Sequence, residues 1–526
     1  MEQFLAVETL VILLLLVVSL VAIAVRRIRL PYTVALVLVG LFITFQQQPI
    51  IGTVTPELIL ALFVPPLIFE AAFHLEFRQL RDNLIPILVL AVPGVLVSTL
   101  IVGGIISAGI GLSLSVAAVF GALISATDPV AVVAFFRALG VPRRLAVAVE
   151  GESLFNDGTA IVVYTIALGA AMAGSFDVVE GVFMFVRVAL GGLGIGMALG
   201  WVVSRLITQI DDYFIEITLT TVLAYGAYLA AEQVHVSGVL AVVAAGIVSG
   251  NMTPQGMSPT TKIVLFNFWE YLAFLANSLV FLLIGIEVNV PQLIDHIVPI
   301  IVAVGAVLAS RAIVVYGLLW LTHLVSGQVH VPLSWRHVLY WGGLRGAIGL
   351  ALALSLPAQL AQRDLLEVMA FGVVLFTLMG QGTTIQFLLK RLGLAERPEH
   401  IVAREKRLGR LYAAQAGLHR LADLRHDGLL AGDVWAGLRD EYYRASEQLT
   451  EEMTQLFAEH PDLEREVLLR ARQEALRSER GALSDALRQG LISEDVYREL
   501  ASDVDRRLEA LVLISEATTA STAPEE

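Results

Sequence analysis

The sequence predicts an all-α protein in two parts: a polytopic membrane domain over residues 1–394 and a helical, water-facing domain over 395–517, with 518–526 as a flexible tail. Two observations carry that prediction. Only 38 of the first 394 residues are charged, 17 Lys/Arg and 21 Asp/Glu, against 45 of the last 132. The first part is also a succession of apolar runs close to the roughly 20 residues that a helix needs to cross hydrocarbon. Across all 526 residues the charged fraction is 16 %, well below the roughly 25 % of soluble domains.

On that length criterion about thirteen spans are expected, near 5–25, 31–47, 57–74, 84–108, 113–138, 149–173, 181–206, 213–231, 236–250, 263–288, 297–322, 336–357 and 366–389. The first run is followed by Arg26-Arg27-Ile28-Arg29, the reverse of the charge order in a cleaved signal peptide, so it reads as a retained span. With the N-terminus outside, Arg26, Arg27, Arg29, Arg78, Arg81, Arg137, Arg143, Arg144, Arg205, Lys262, Arg336, Lys390 and Arg391 all fall on the cytoplasmic side. The expected location is a cell inner or plasma membrane, with the C-terminal domain in the cytoplasm. Arg187, Arg311 and Arg345 remain inside apolar runs, where an unpaired cation is costly.

Several function classes drop out. The net charge of −13 includes no strongly basic region for nucleic acid. The absence of Cys removes thiolate chemistry and disulfides. No His/Asp/Glu grouping has zinc spacing and no glycine loop carries a nucleotide-binding lysine, so neither a cofactor nor an enzymatic activity is expected.

Three stretches carry chemistry. In Gly121-Ala-Leu-Ile-Ser-Ala-Thr127-Asp128-Pro129-Val130, Pro129 lacks an amide donor and should break its span, freeing carbonyls beside Asp128 and Thr127. The plainer reading is a helix boundary capped by Asp128. In Glu150-Gly-Glu152-Ser153-Leu-Phe-Asn156-Asp157-Gly158-Thr159, Glu152 and Asn156 are four apart, as are Ser153 and Asp157, so each pair stacks along a helix. Three buried carboxylates require a proton, an Arg partner or a bound cation, the states used by a proton–cation exchanger. An exposed first turn favoured by the helix dipole accounts for Glu150 but not for Asp157. In Gly342-Gly-Leu-Arg345-Gly346-Ala-Ile-Gly349, glycines at helical spacing allow close packing around Arg345. The expected partner of Arg345 is Glu152, with Asp157 as the alternative. Glu270 and Asn277, seven apart on one face, steady the core or pair with Arg311. His74 stands alone.

These stretches, with Phe63-Val-Pro-Pro66, Trp269-Glu270 and Gln381-Gly382-Thr383, resemble the monovalent cation:proton antiporter-1 family over about residues 8–392. The family holds NhaP-type sodium/proton antiporters and the animal sodium/hydrogen exchangers. The resemblance implies thirteen spans in inverted repeats, two crossed discontinuous helices, and a homodimer in membrane lipid. It also implies that Asp157 binds the ion and carries the proton. Asp128, Thr127, Ser153 and Glu152 would complete the Na+ site, with Asn156, Pro129, Arg311, Glu270 and Asn277 in support and Arg345 paired with Glu152. The Asn156-Asp157 pairing is the one associated with electroneutral exchange. The expected activity is therefore Na+/H+ antiport by alternating access, one for one, with Na+ (or Li+/K+) and H+ competing for Asp157. Exchange of K+ or mixed monovalent cations against H+ is the alternative, and a cation channel a further one.

In the tail, residues 400–425, 433–459, 462–489 and 491–516 show helical apolar recurrence, with Val434, Leu438 and Tyr442 as one stripe and Leu463, Val467, Leu468 and Ala471 as another. The readings there are a dimer-stabilising appendage or a regulatory domain taking an unknown ligand.

Overall fold

A computed structural model describes residues 2–25, 31–45, 56–210, 212–253, 259–287, 290–326, 331–395 and 399–521. Arg26, Arg27 and Arg29 lie outside the described residues. All elements among the described residues are helical, and the chain divides into two units, Met1–Glu396 and Arg397–Glu526.

The first unit opens with α1 (Glu2–Val25), α2 (Tyr32–Phe45) and α3 (Pro56–His74). A short α4 (Phe77–Asp82) leads into α5 (Leu84–Ala91) and α6 (Pro93–Ile110). Pro93 opens α6, where its missing amide donor leaves no broken bond, so α5 and α6 run on as one apolar span. Next come α7 (Leu114–Leu123), α8 (Val130–Leu139) and α9 (Arg143–Ala173), the last ended by Gly174 at φ +69°. Then follow α10 (Val178–Ile207), α11 (Tyr213–Gln233) and α12 (Gly238–Met252), whose first turns are capped by the side chains of Asp177, Asp212 and Ser237. The unit closes with α13 (Pro259–Glu287), α14 (Val290–Asp295), α15 (Ile297–Ala312), α16 (Leu319–Ser326), α17 (Leu333–Trp341), α18 (Ala347–Leu354), α19 (Arg363–Phe376) and α20 (Gly382–Arg391). A π-helical turn, Ile313–Leu318, joins α15 to α16, and another, Thr377–Gln381, joins α19 to α20.

This is a polytopic membrane architecture, but its clear spans number seven rather than the thirteen expected. Among the described residues the long apolar helices are Leu84–Ile110, Arg143–Ala173, Val178–Ile207, Tyr213–Gln233, Thr261–Glu287, Ile297–Leu324 and Arg363–Arg391. The shortfall has a physical cause. Further apolar helices are only 10–17 residues long, and the expected spans 113–138 and 336–357 are each interrupted in the middle. Arg187 lies exposed on the flank of α10.

The core of the unit joins α2, α3, α7, α9, α12, α13, α18 and α19, with Trp269, Phe69, Phe73, Phe120 and Phe281 fully buried. Close approach needs glycine at specific points. A Cβ on Gly121 would lie 2.5 Å from the Thr99 carbonyl oxygen, and one on Gly349 would lie 2.8 Å from that of Leu123.

The second unit holds α21 (Glu399–His426), α22 (Gly432–Glu459), α23 (Pro461–Arg488) and α24 (Glu494–Ser521). Helix α24 continues past Thr518, where a loose end is expected, and residues 522–526 lie outside the described residues. Leu469, Leu476, Val504 and Leu511 pack α23 on α24. Arg425 and Arg439 flank the Trp435 ring at 3.8 and 4.6 Å. Of the stripes expected here, Leu463 is buried, while Val434 and Leu468 face outward.

Candidate ion-binding site

Two interrupted helices meet at the centre of the first unit. Helix α7 stops at Leu123, and the chain runs non-helically to Pro129 before α8 begins; α17 stops at Trp341, and the chain is non-helical to Gly346 before α18. Each break supplies partners for the other. The Asp128 amide donates to the Leu344 carbonyl at 2.8 Å. The Arg345 guanidinium donates through Nη1 to the carbonyls of Ser125 at 2.6 Å and Ala126 at 3.3 Å. The Arg345 amide donates to Thr377 Oγ1 at 3.2 Å, on the π turn after α19. Backbone groups released by the interruptions are thus satisfied across the crossing, a requirement wherever water is excluded.

Asp128 combines both readings of its motif. Its Oδ1 accepts the Val130 amide at 3.0 Å, capping α8, and the Ala347 amide at the start of α18 faces the same carboxylate. Two helix N-termini therefore converge on one carboxylate, each carrying partial positive charge. Gly346 makes this possible, because a Cβ there would overlap the Asp128 side chain.

Helix α9 crosses beside the first break and brings Glu152, Ser153, Asn156 and Asp157 there, all buried. Ser153 Oγ donates to the Thr127 carbonyl, Asn156 Nδ2 donates to Thr127 Oγ1 at 3.2 Å, and the Thr127 amide faces the Asp157 carboxylate. Thr127 is thereby held by two polar side chains of α9, Ser153 and Asn156. Asn156 Oδ1 is buried without a hydrogen-bond partner, leaving an oxygen lone pair beside the carboxylates.

The expected pairing of Arg345 with Glu152 is not what forms. Arg311, on α15, grips Glu152 in a two-pronged bridge, Nη1 to Oε1 and Nη2 to Oε2, the latter at 2.9 Å. Its Nη2 and Nε also donate to the Leu339 carbonyl, at 2.8 and 3.3 Å. Room for the guanidinium comes from Gly343, where a Cβ would lie 2.6 Å from Arg311 Nε. Arg345 is drawn instead to carbonyls that exist only because α7 is interrupted, acceptors that no sequence spacing reveals. With both oxygens bonded to Arg311, Glu152 anchors that arginine and is a poor cation ligand.

Glu270 and Asn277 do not reach Arg311. Both are on α13, which packs against α2 and α3, and Glu270 is exposed and faces Glu70. His74 does not stand alone either, since its Nδ1 lies 3.2 Å from Glu70 Oε1 and its ring meets Phe266 edge-on at 4.8 Å. Sequence reasoning passed over Thr377, the Leu339 carbonyl and both π turns. Such turns recur at functional sites but have no sequence signature.

Among the described residues no three His, Cys, Asp or Glu side chains are placed to hold one metal ion together. The oxygens available at the crossing are mixed: the Asp157 and Asp128 carboxylates, the Thr127 and Ser153 hydroxyls, and Asn156 Oδ1.

A family model described as "Sodium/hydrogen exchanger, transmembrane" matches residues 12–391. The chain belongs to the sodium/hydrogen exchanger family. Among its relatives, "Low-affinity Na(+)/H(+) antiporter NhaS1" of Synechocystis sp. is 38 % identical over 89 % of this chain and 90 % of its own length. "Na(+)/H(+) antiporter ApNhaP" of Aphanothece halophytica is 42 % identical over 73 % and 75 %. The solved structure of the sodium proton antiporter MjNhaP1 from Methanocaldococcus jannaschii at pH 8 superposes with a TM-score of 0.62 at 21 % identity, covering 75 % of this chain and all of that one, and so shares the fold. Members of the exchanger family are transporters, not catalytic enzymes, and the break at Thr127–Pro129, the α9 motif and the break at Gly342–Gly346 all fall within the matched residues.

Proposed function

We propose that this exchanger is a secondary active Na+/H+ antiporter that trades one Na+ for one H+ by alternating access, with both ions competing for Asp157. One observation carries the reading. Three carboxylates (Asp128, Glu152, Asp157) and two guanidiniums (Arg311, Arg345) meet at the crossing, leaving one negative charge when all are ionised. A single proton or a single monovalent cation neutralises it, and either makes the site safe to move through low dielectric. Crossing empty would carry an uncompensated carboxylate, so only loaded states exchange sides. That penalty couples the two fluxes.

Na+ would sit between Asp157 and Asp128, with the Thr127 and Ser153 hydroxyls and Asn156 Oδ1 completing its shell. Arg311 and Glu152 neutralise each other and hold α15 to α9. Arg345 keeps the two breaks in register and balances one of the aspartates. Counting the short and interrupted helices with the seven long ones accommodates thirteen crossings; their inverted-repeat arrangement, with the N-terminus outside and residues 395–517 in the cytoplasm, is part of the same proposal. The outward apolar face of α10, the least internally buried of the long spans, suits a homodimer in a plasma or inner membrane.

Reconstituted protein should acidify or alkalinise vesicles in response to a Na+ gradient at a rate unaffected by clamped voltage, and Asp157→Asn should reduce that flux to the protein-free level. Normal Na+-driven flux in Asp157→Asn sinks the assignment of Asp157, and voltage-dependent flux in the unaltered protein sinks the one-for-one exchange. The same vesicles, tested with Li+ and K+, set the cation range.

A further inference from the structure

Away from the crossing, a groove opens at the end of the bundle where α5, α9 and α17 begin. Arg81, Asn83, Ile85, Arg144 and Trp335 are among its lining residues, with Leu339 at its inner wall. Asp82 lines it as well, so two guanidiniums face one carboxylate and the groove is net positive. Arg144 Nε is steadied by Asn83 Oδ1 at 3.0 Å, which leaves its terminal nitrogens directed elsewhere. The floor is apolar, and it continues into one face of the α5–α6 span. There Ile85, Leu88, Leu96 and Leu100 recur at helical spacing and are 51 %, 37 %, 41 % and 71 % exposed. Such a face on a membrane helix is covered by acyl chain.

We infer that this groove is a binding site for an anionic phospholipid, its phosphate held by Arg81 and Arg144 and an acyl chain lying along the exposed face of α5–α6. Basic pockets between spans select anionic headgroups over zwitterionic ones through charge, and guanidinium suits phosphate oxygens geometrically. Trp335 has the amphipathic ring favoured at headgroup depth. Because the Leu339 carbonyl, near the end of α17, also holds Arg311, an occupied groove braces the helix that leads into the crossing.

The test is native mass spectrometry of the full-length protein, delipidated and given phosphatidylglycerol or phosphatidylcholine with identical chains. Retention of phosphatidylglycerol should exceed that of phosphatidylcholine, and the single substitutions Arg81→Gln and Arg144→Gln should each lower it by about tenfold or more, the expected size for losing one charge-assisted contact. Arg143→Gln is the charge-matched control, since Arg143 is occupied by Glu76 and by Gln79 at 3.0 Å; it should retain the lipid. Equal retention of the two lipids by the unaltered protein overturns the proposal without any variant. So does an equal loss in Arg143→Gln. A glycerol phosphate arm separates the sources: displacement of the lipid by soluble phosphate at matched concentration would make this a free-phosphate site. Lipid retention is read without transport, so the outcome is independent of the exchange mechanism.

Discussion

Among the described residues Glu152 and Arg311 form the most deeply buried ion pair of the transmembrane unit, and its value to the protein is conditional. Removing one partner strands the other charge in a buried place, at a cost of about 3–5 kcal/mol, whereas removing both is far less harmful. Glu152→Gln and Arg311→Gln should each lower the thermal unfolding midpoint of the purified protein sharply, and the double substitution should recover part of the loss. Combining Glu152→Gln with Arg345→Gln should bring no recovery, because Arg345 serves carbonyls rather than Glu152. Recovery in that second pair, and not in the first, would reverse the assignment. Gly346 acts at the same scale through volume. A methyl group there meets the Asp128 side chain, and overpacking of this kind costs roughly 1–3 kcal/mol. Gly346→Ala is therefore expected to reach the membrane in normal yield yet lose most of its Na+-driven proton flux.

At the scale of elements, the two breaks depend on each other and on the π turn after α19. The Arg345 amide has Thr377 Oγ1 as its acceptor, and a buried amide left without one costs about 1–3 kcal/mol. Thr377→Val should destabilise the crossing and slow exchange, and Thr377→Ser should restore both, measured by thermal unfolding and by vesicle flux. A normal Val variant beside an impaired Ser variant would mean that the methyl group, rather than the hydroxyl, matters. Pro129 marks the first break in the sequence by chemistry alone, since it has no amide to offer. The second break contains no proline. Its glycines read from spacing as a packing stripe, whereas in the fold Gly343 admits Arg311 and Gly346 admits Asp128.

At the scale of the molecule, the boundary between units at Glu396 lies five residues beyond the last residue matched by the exchanger family. A protein ending at Leu394 is expected to insert and to exchange, because every group at the crossing lies before that point. Comparing its pH–activity profile with that of the full chain tests the second unit: a shifted profile assigns it a regulatory part, and an unchanged one removes it.

Composition and run length, read from the sequence by themselves, determined a polytopic helical membrane protein, and the joint motifs around Asp128, Asp157 and Arg345 determined the family. These properties are local: a carboxylate in an apolar run or a proline in a span is visible without knowing its neighbours. Which charges pair was decided only by tertiary structure. Arg311 and Glu152 are 159 residues apart, and Arg345 binds carbonyls that become available only when another helix is interrupted. Sequence displays side chains but not freed backbone acceptors, and in a low-dielectric interior those acceptors compete with carboxylates for every buried cation.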